Sequence, residues 1–195
     1  SLAREANALG TVASCLGNLG IIHEQLGHNR KALSSYFNAA KIFEEMQSFE
    51  SIGIALINIG NIYDNLEMYD SALYFYDTAN SINESVNNLY FVALGKMNAG
   101  NVHHKLFNLE TAAILMEEAK SAYETIGNMV GLTSVVSNLG SVYIDLEQYD
   151  KATATLLEAH ELSTETGDYQ SLMRCNQYLA ELFARRAQYK EAYSY

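Results

Sequence analysis

The sequence predicts an all-α fold, an α-α superhelix (solenoid) built from stacked antiparallel helical hairpins. One heptad pattern returns four times at a spacing of 40 residues, at 17–23, 57–63, 97–103 and 137–143. Apolar residues within each unit recur at helical intervals of three and four positions. The 195 residues include no proline, a residue that breaks helix interiors. Together these observations indicate a helical repeat protein.

Small and aromatic residues recur at the same position of successive units. One column consists of Gly20, Gly60, Gly100, Gly140 and Ala180. A second column, three residues further on, consists of His23, Tyr63, His103, Tyr143 and Phe183. Alanine recurs in the second half of each unit, at positions such as Ala72 and Ala79. Because small residues let two helices approach closely, we expect these columns at helix–helix contacts.

Each unit is expected to contain two helices and a terminal turn. In the second unit, the apolar residues of 52–66 trace one face of a first helix, and those of 69–82 trace a second helix. Asn87 follows, and Gly127 and Gly167 stand at its position in later units. Both residue types suit the left-handed backbone of a turn that ends a helix. A single hairpin cannot bury its apolar faces alone, so successive hairpins must stack.

The period also predicts the boundaries of the units. They are 9–48, 49–88, 89–128 and 129–168, followed by a partial unit at 169–195. We expect one solenoid over residues 1–195, with residues 1–8 as the end of a preceding second helix. Because both ends of the sequence fall inside a unit, we expect the chain to be an excerpt of a longer protein.

The last unit is expected to lack most of its second helix, because the sequence stops seven residues into it. Its first helix should then leave Leu179, Leu182 and Phe183 partly exposed. Burying one side chain of this size contributes roughly 1.5–3 kcal/mol to stability. We therefore expect that this uncapped C-terminal edge can mediate self-association.

Charge and composition argue against several classes of partner. The net charge is −11 and the 12 lysines and arginines are scattered, whereas nucleic-acid binding relies on clustered cations. No apolar run approaches the roughly 18 residues of a membrane span. The N-terminal residues lack the basic-then-apolar order of a signal peptide. We therefore expect no nucleic-acid partner, no membrane partner and a cytoplasmic location.

No arrangement of reactive residues suggests catalysis. Cys15 and Cys175 occupy the same repeat position four periods apart, so we expect two small buried residues that form no disulfide with each other. The five histidines show no zinc-binding spacing. His103 is expected to pack in the core, whereas His104 is expected to face a binding groove. We predict a chain that is not an enzyme and that holds no metal or cofactor.

Residues 57–82 resemble the tetratricopeptide repeat. The resemblance rests on a ladder of small and aromatic residues, Gly60, Tyr63, Ala72, Tyr76 and Ala79. It extends over essentially the whole chain in four copies. The unit of 40 residues is longer than the family's usual unit of about 34 residues. Residues other than proline also stand where the family usually has one, near the end of each unit.

The resemblance implies that the first helix of each hairpin lines the concave side of a superhelix, where peptides bind. The predicted binding residues are Asn61, Asp64, Asn65, Met97, Asn101, His104, Lys105, Ser137, Ser141, Asp145, Arg174, Gln177 and Glu181. The same face in the first unit carries Ser14, Gly17, Ile21, Glu24 and Gln25, and Ile54 lies on it in the second. Charges on this face nearly cancel, and its amides and hydroxyls can bond a peptide backbone.

The function predicted from the sequence is a scaffold that binds a peptide or protein segment on this concave face. A family subclass that grips a chaperone's C-terminal carboxylate is a poor match. The best window here offers Met97, Asn101, Asn138, Arg174 and Tyr178, and lacks two of the cations that such a clamp requires. Two alternatives remain open. One is a ligand-sensing module that controls an attached kinase, cyclase or phosphatase, and the other is a self-association module.

Overall fold

The computed structural model describes residues 2–186, with side chains from residue 7 onward, and every regular element in this range is an α-helix. The helices are α1 (Leu2–Gln25), α2 (Asn29–Glu45), α3 (Phe49–Asn65), α4 (Tyr69–Ser85), α5 (Leu89–Lys105), α6 (Leu109–Ile126), α7 (Met129–Asp145), α8 (Tyr149–Thr166) and α9 (Tyr169–Arg185). The predicted all-α fold is confirmed. The second helix expected at the C-terminal end falls outside the described residues.

The helices form two compact units, Ser1–Ala99 and Gly100–Tyr195, with the division inside α5. We call these the first unit and the second unit, and each contains more than one of the 40-residue repeats. In the first unit, α1 packs on α2, α2 on α3 and α3 on α4. In the second, α6 packs on α7, α7 on α8 and α8 on α9, and α7 also contacts α9. Each unit is therefore a series of antiparallel hairpins. Helix α1 is continuous from Leu2 to Gln25, so no helix end lies near residue 8.

The turns between helices use left-handed backbone, as the sequence predicts. Gly127 and Gly167 have φ of +67° and +69°, and Asn87 has φ of +55°. The turn after α4 is closed by the N–H of Asn88, which donates to the carbonyl oxygen of Asn83 at 2.9 Å. Such turns satisfy carbonyl groups that the end of a helix leaves without partners.

The glycine column lies at helix–helix contacts, as expected. A Cβ atom placed on Gly60 would lie 2.5 Å from Cε1 of Tyr76, a buried side chain on α4. At Gly100 the nearest atoms are Cγ of Met116 at 3.0 Å and the carbonyl oxygen of Ala112 at 3.3 Å. The aromatic ring at Gly60 therefore leaves less room than the flexible methionine at Gly100.

The prediction of a bare C-terminal edge is wrong for two of its three residues. Leu179 and Leu182 are fully buried, and Phe183 is half-buried. Their columns face the second helix of the preceding hairpin, not that of their own. At the other end of the chain, Leu19 and Ile22 occupy the same columns on α1 and are 45% and 50% exposed. The exposed apolar face is therefore on the first described helix.

The two cysteines differ in burial, because one lies on the first described helix and the other on the last. Cys175 is buried, as predicted, and its thiol lies 3.6 Å from the carbonyl oxygen of Leu156 on α8. Burial raises the pKa of the Cys175 thiol above its usual range. Cys15 is exposed, contrary to the prediction, because α1 is the first described helix and no described helix covers this side of it. Both cysteines are free thiols.

We predict that Gly60→Ala destabilises the fold more than Gly100→Ala does. Alanine improves helix propensity equally at both positions, so this gain cancels in the comparison. At Gly60 the new methyl group must displace a buried ring, and overpacking of this kind costs about 1–3 kcal/mol. Urea unfolding of the two variants measures the difference. Equal stabilities, or a less stable Gly100→Ala variant, would show that the contact with Tyr76 is not the tighter one.

Candidate functional site

The first-helix face is the side of α1, α3, α5, α7 and α9 that carries the predicted binding residues. In the first unit, Asn65 is exposed, whereas Asn61, Asp64 and Met97 are half-buried. Oδ1 of Asn61 accepts one hydrogen bond from the hydroxyl of Tyr76 at 2.8 Å and a second from Nδ2 of Asn98 at 3.0 Å. Asn61 therefore ties α3 to both α4 and α5.

The hydroxyl of Tyr76, which donates to Asn61, stays protonated. Burial raises the pKa of its hydroxyl far above the usual range, and the nearby negative charge of Asp64 raises it further. The hydroxyl is therefore protonated at any physiological pH. The hydroxyl can therefore donate to Oδ1 of Asn61 at any physiological pH.

A row of polar side chains crosses three first helices in the second unit. Nδ2 of Asn138 on α7 donates to Oδ1 of Asn101 on α5 at 3.1 Å. The guanidinium group of Arg174 on α9 lies 3.5 Å from Oδ1 of Asn138 and donates to Oγ of Ser171 at 3.3 Å. We call Asn101, Asn138 and Arg174 the amide row. The structure thus brings the predicted Asn101 and Arg174 together through Asn138, which was not among the predicted binding residues.

A charged cluster lies at the C-terminal ends of the same three helices. Nε2 of His104 lies 2.8 Å from Oδ2 of Asp145, and Nη2 of Arg185 lies 3.2 Å from Oδ1 of that carboxylate. Arg185 also pairs with Glu181 at 2.6 Å. Three of the predicted residues therefore belong to one network of hydrogen bonds and ion pairs. Arg185, absent from the predicted set, supplies the positive charge that joins the two acids.

One predicted residue is not available to a ligand. Ser137 is fully buried, and its Oγ lies 3.5 Å from the thiol sulfur of Cys175. It is buried because α7 and α9 pack directly against each other at this position. The remaining predicted residues of the second unit are at least partly accessible. Ser141 is half-buried, and Lys105, Gln177 and Glu181 are exposed.

The first unit has a cavity on its first-helix face that the predicted binding set did not include. It has a volume of about 260 Å³ and is lined by residues of α1, α2 and α3. Ser14, Gly17, Ile21 and Ile54, which the sequence places on this face, are among its lining residues. The sequence located the face, but no repeat pattern could show that the space beside Gly17 is empty.

The described residues contain no group of three or more histidines, cysteines, aspartates or glutamates that could hold a metal ion. Likewise, none of the described helices is long and apolar enough to cross a membrane. The first unit offers an apolar cavity, and the second unit offers a row of amides and a paired charge cluster. An arrangement of this kind can bind a ligand by hydrogen bonds and burial.

Two family models match parts of the chain. The tetratricopeptide repeat model matches residues 54–86 and 134–166, which confirms the resemblance seen in the sequence. The model for Anaphase-promoting complex subunit 5 matches residues 4–66. No curated protein sequence matches the chain.

Several solved structures share the fold. BtubC (BKLC) from P. vanneervenii is 20% identical with a TM-score of 0.86, covering 98% of this chain and 82% of its own. A kinesin light chain with TPR-like repeats from Podosopora anserina is 13% identical with a TM-score of 0.76. The match covers 95% of this chain and 92% of that protein. Rap protein complexed with Competence and Sporulation Factor is 16% identical with a TM-score of 0.73. The match covers 96% of this chain and 61% of that protein. At these identities the likeness shows the fold alone.

Proposed function

We propose that this chain of tetratricopeptide repeats is a binding module for a peptide or protein segment, which lies on the first-helix face. The observation that carries the proposal is the amide row of the second unit. Oδ1 of Asn101 accepts the bond from Asn138, and Nδ2 of Asn101 donates to none of the described residues. The guanidinium group of Arg174 has five N–H donors, more than its contacts with Asn138 and Ser171 require.

The row suits a ligand because its members hold one another in place. Ordering a long side chain at an interface costs about 0.5–1.5 kcal/mol, and side chains that are already fixed avoid part of this cost. A peptide backbone presents carbonyl oxygens that the remaining N–H groups can bond. The mutual bonds of the row therefore support recognition of an extended segment.

The charges of the same unit favour a ligand that is neutral overall. Asp145 contacts both His104 and Arg185, so the positive charge of Arg185 is partly compensated within the protein. The Rap protein structure, which holds Competence and Sporulation Factor, gives a precedent for a bound factor on this fold. We infer binding without chemistry at this site, and we place the chain in the cytoplasm.

A peptide library tests the proposal. Random peptides displayed on phage are selected against the full chain, and an enriched peptide is titrated by fluorescence anisotropy. Losing a hydrogen bond from a charged donor costs roughly 1.5–3 kcal/mol, so we expect Arg174→Ala to weaken binding about tenfold or more. Ser121→Ala, an exposed position on α6, serves as the control and should bind as the wild type does. Equal affinity of the Arg174→Ala and Ser121→Ala variants would contradict a site on this face.

A second candidate function, self-association, is favoured by the apolar face of α1. The exposed side chains of this face are Leu9, Val12, Leu19 and Ile22 on α1 and Leu26 directly after it, each 38–61% accessible. Residues 6–22 include no charged side chain, although the chain carries a net charge of −11. A neutral apolar helix is the surface on which two copies of so acidic a chain repel each other least.

We predict that Leu19→Glu abolishes any concentration-dependent association of the chain. A carboxylate at the centre of an apolar contact would lose its hydration without gaining a partner. The matched control is Leu157→Glu on α8, since Leu157 is 43% exposed and Leu19 is 45% exposed. Sedimentation velocity over a dilution series measures the state. A monomeric wild type, or equal association of both variants, would remove this candidate.

A further inference from the structure

The cavity of the first unit exists because one repeat position lacks a side chain. Gly17 stands where the next two repeats carry Ile57 and Met97. A Cβ atom added to Gly17 would meet no atom within 4 Å, so the space beside it is open. In the following repeat, Ile57 fills its position and is buried. The cavity therefore lies where the next repeat has an aliphatic side chain and the first repeat has only glycine.

The lining of the cavity determines what can enter it. Ile21, Ile54 and Phe43 provide apolar surface, and the amides of Asn18 and Asn58 are also part of the lining. None of the lining residues is charged, in a chain with a net charge of −11. A charged group would lose its hydration here without a partner of opposite sign, whereas an apolar group would gain by leaving water.

The cavity is large enough for one aliphatic side chain. Its volume of about 260 Å³ exceeds the roughly 150 Å³ of an apolar cavity that accommodates benzene. The two asparagine amides each offer both a donor and an acceptor, the pair that one peptide unit requires. An extended segment can therefore insert a side chain while its backbone stays bonded to Asn18 and Asn58.

We propose that this cavity binds an aliphatic side chain, such as isoleucine, of a neutral extended peptide segment. The inference rests on the proposed function and adds a determinant of specificity to it. Recognition combines burial of the side chain against Ile21 and Ile54 with backbone bonds to the two asparagines. The predicted segment thus has an aliphatic residue at the point where it passes between α1 and α3.

Three capped tripeptides probe the cavity. Acetyl-Ser-Ile-Ser-amide, acetyl-Ser-Gly-Ser-amide and acetyl-Ser-Asp-Ser-amide are titrated into the ¹⁵N-labelled full chain, and amide shifts are followed by NMR. Burial of an isoleucine side chain predicts affinity about tenfold or more above that of the glycine peptide. The aspartate peptide should bind no better than the glycine peptide. The largest shifts are expected at Gly17 and Ile54.

Gly17→Ile is the variant that fills the cavity with the residue of the next repeat. It should abolish the preference for the isoleucine peptide and raise the melting temperature, which also shows that the variant folds. Ser34→Ile, on α2 and outside the cavity lining, introduces the same side chain and should keep the preference. Equal binding of the isoleucine and glycine peptides, or an unchanged preference in Gly17→Ile, would overturn the inference.

The tripeptide titration, together with the titration of library peptides, separates this inference from the proposed function. If peptide-induced shifts occur only in α7 and α9, the cavity is not a binding site, while the proposed first-helix face remains supported. If library peptides bind with full affinity to Arg174→Ala and cause no shift at Gly17, both the cavity and the proposed function fail. Shifts at Ile54 that disappear in Gly17→Ile support the cavity whatever the result at Arg174.

Discussion

Each of the four hairpins that the structure describes in full depends on a contact in which one large side chain of the second helix lies on a glycine of the first helix. Tyr76 covers Gly60 and Leu156 covers Gly140, and both large side chains are almost completely buried. A Cβ atom at either glycine would occupy the space of its neighbour, so the contact requires glycine on one helix. This contact fixes the rotation of the first helix about its axis, and so determines which residues form the first-helix face.

The two units use this contact differently. In the first unit, the Tyr76 ring that packs on Gly60 also donates its hydroxyl hydrogen to Asn61, which joins the apolar core to the polar face. In the second unit, Met116 packs at the equivalent position and has no hydroxyl group. Among the described residues, Asn101 is therefore held only by the next first helix, and more of its bonding capacity remains unused.

The period and the residue types were enough to predict the hairpins, the left-handed turn at Asn87 and the glycine contacts, because these depend on residues near in sequence. The period does not show which neighbouring helix a position faces. For this reason Leu179 was expected at an open edge, although it is buried, and Ser137 was expected on a binding face. The empty space beside Gly17 also could not be predicted from the sequence, since the cavity is formed by three helices together.

The hydrogen bond between Tyr76 and Asn61 couples the core of a hairpin to its first-helix face. A double-mutant cycle of Tyr76→Phe and Asn61→Ala, measured by urea unfolding, tests it most directly. Each single change breaks the hydrogen bond between the hydroxyl and Oδ1, so the effects should not add. We expect a coupling free energy of about 0.5–1.5 kcal/mol. Additive effects of the two changes would contradict it.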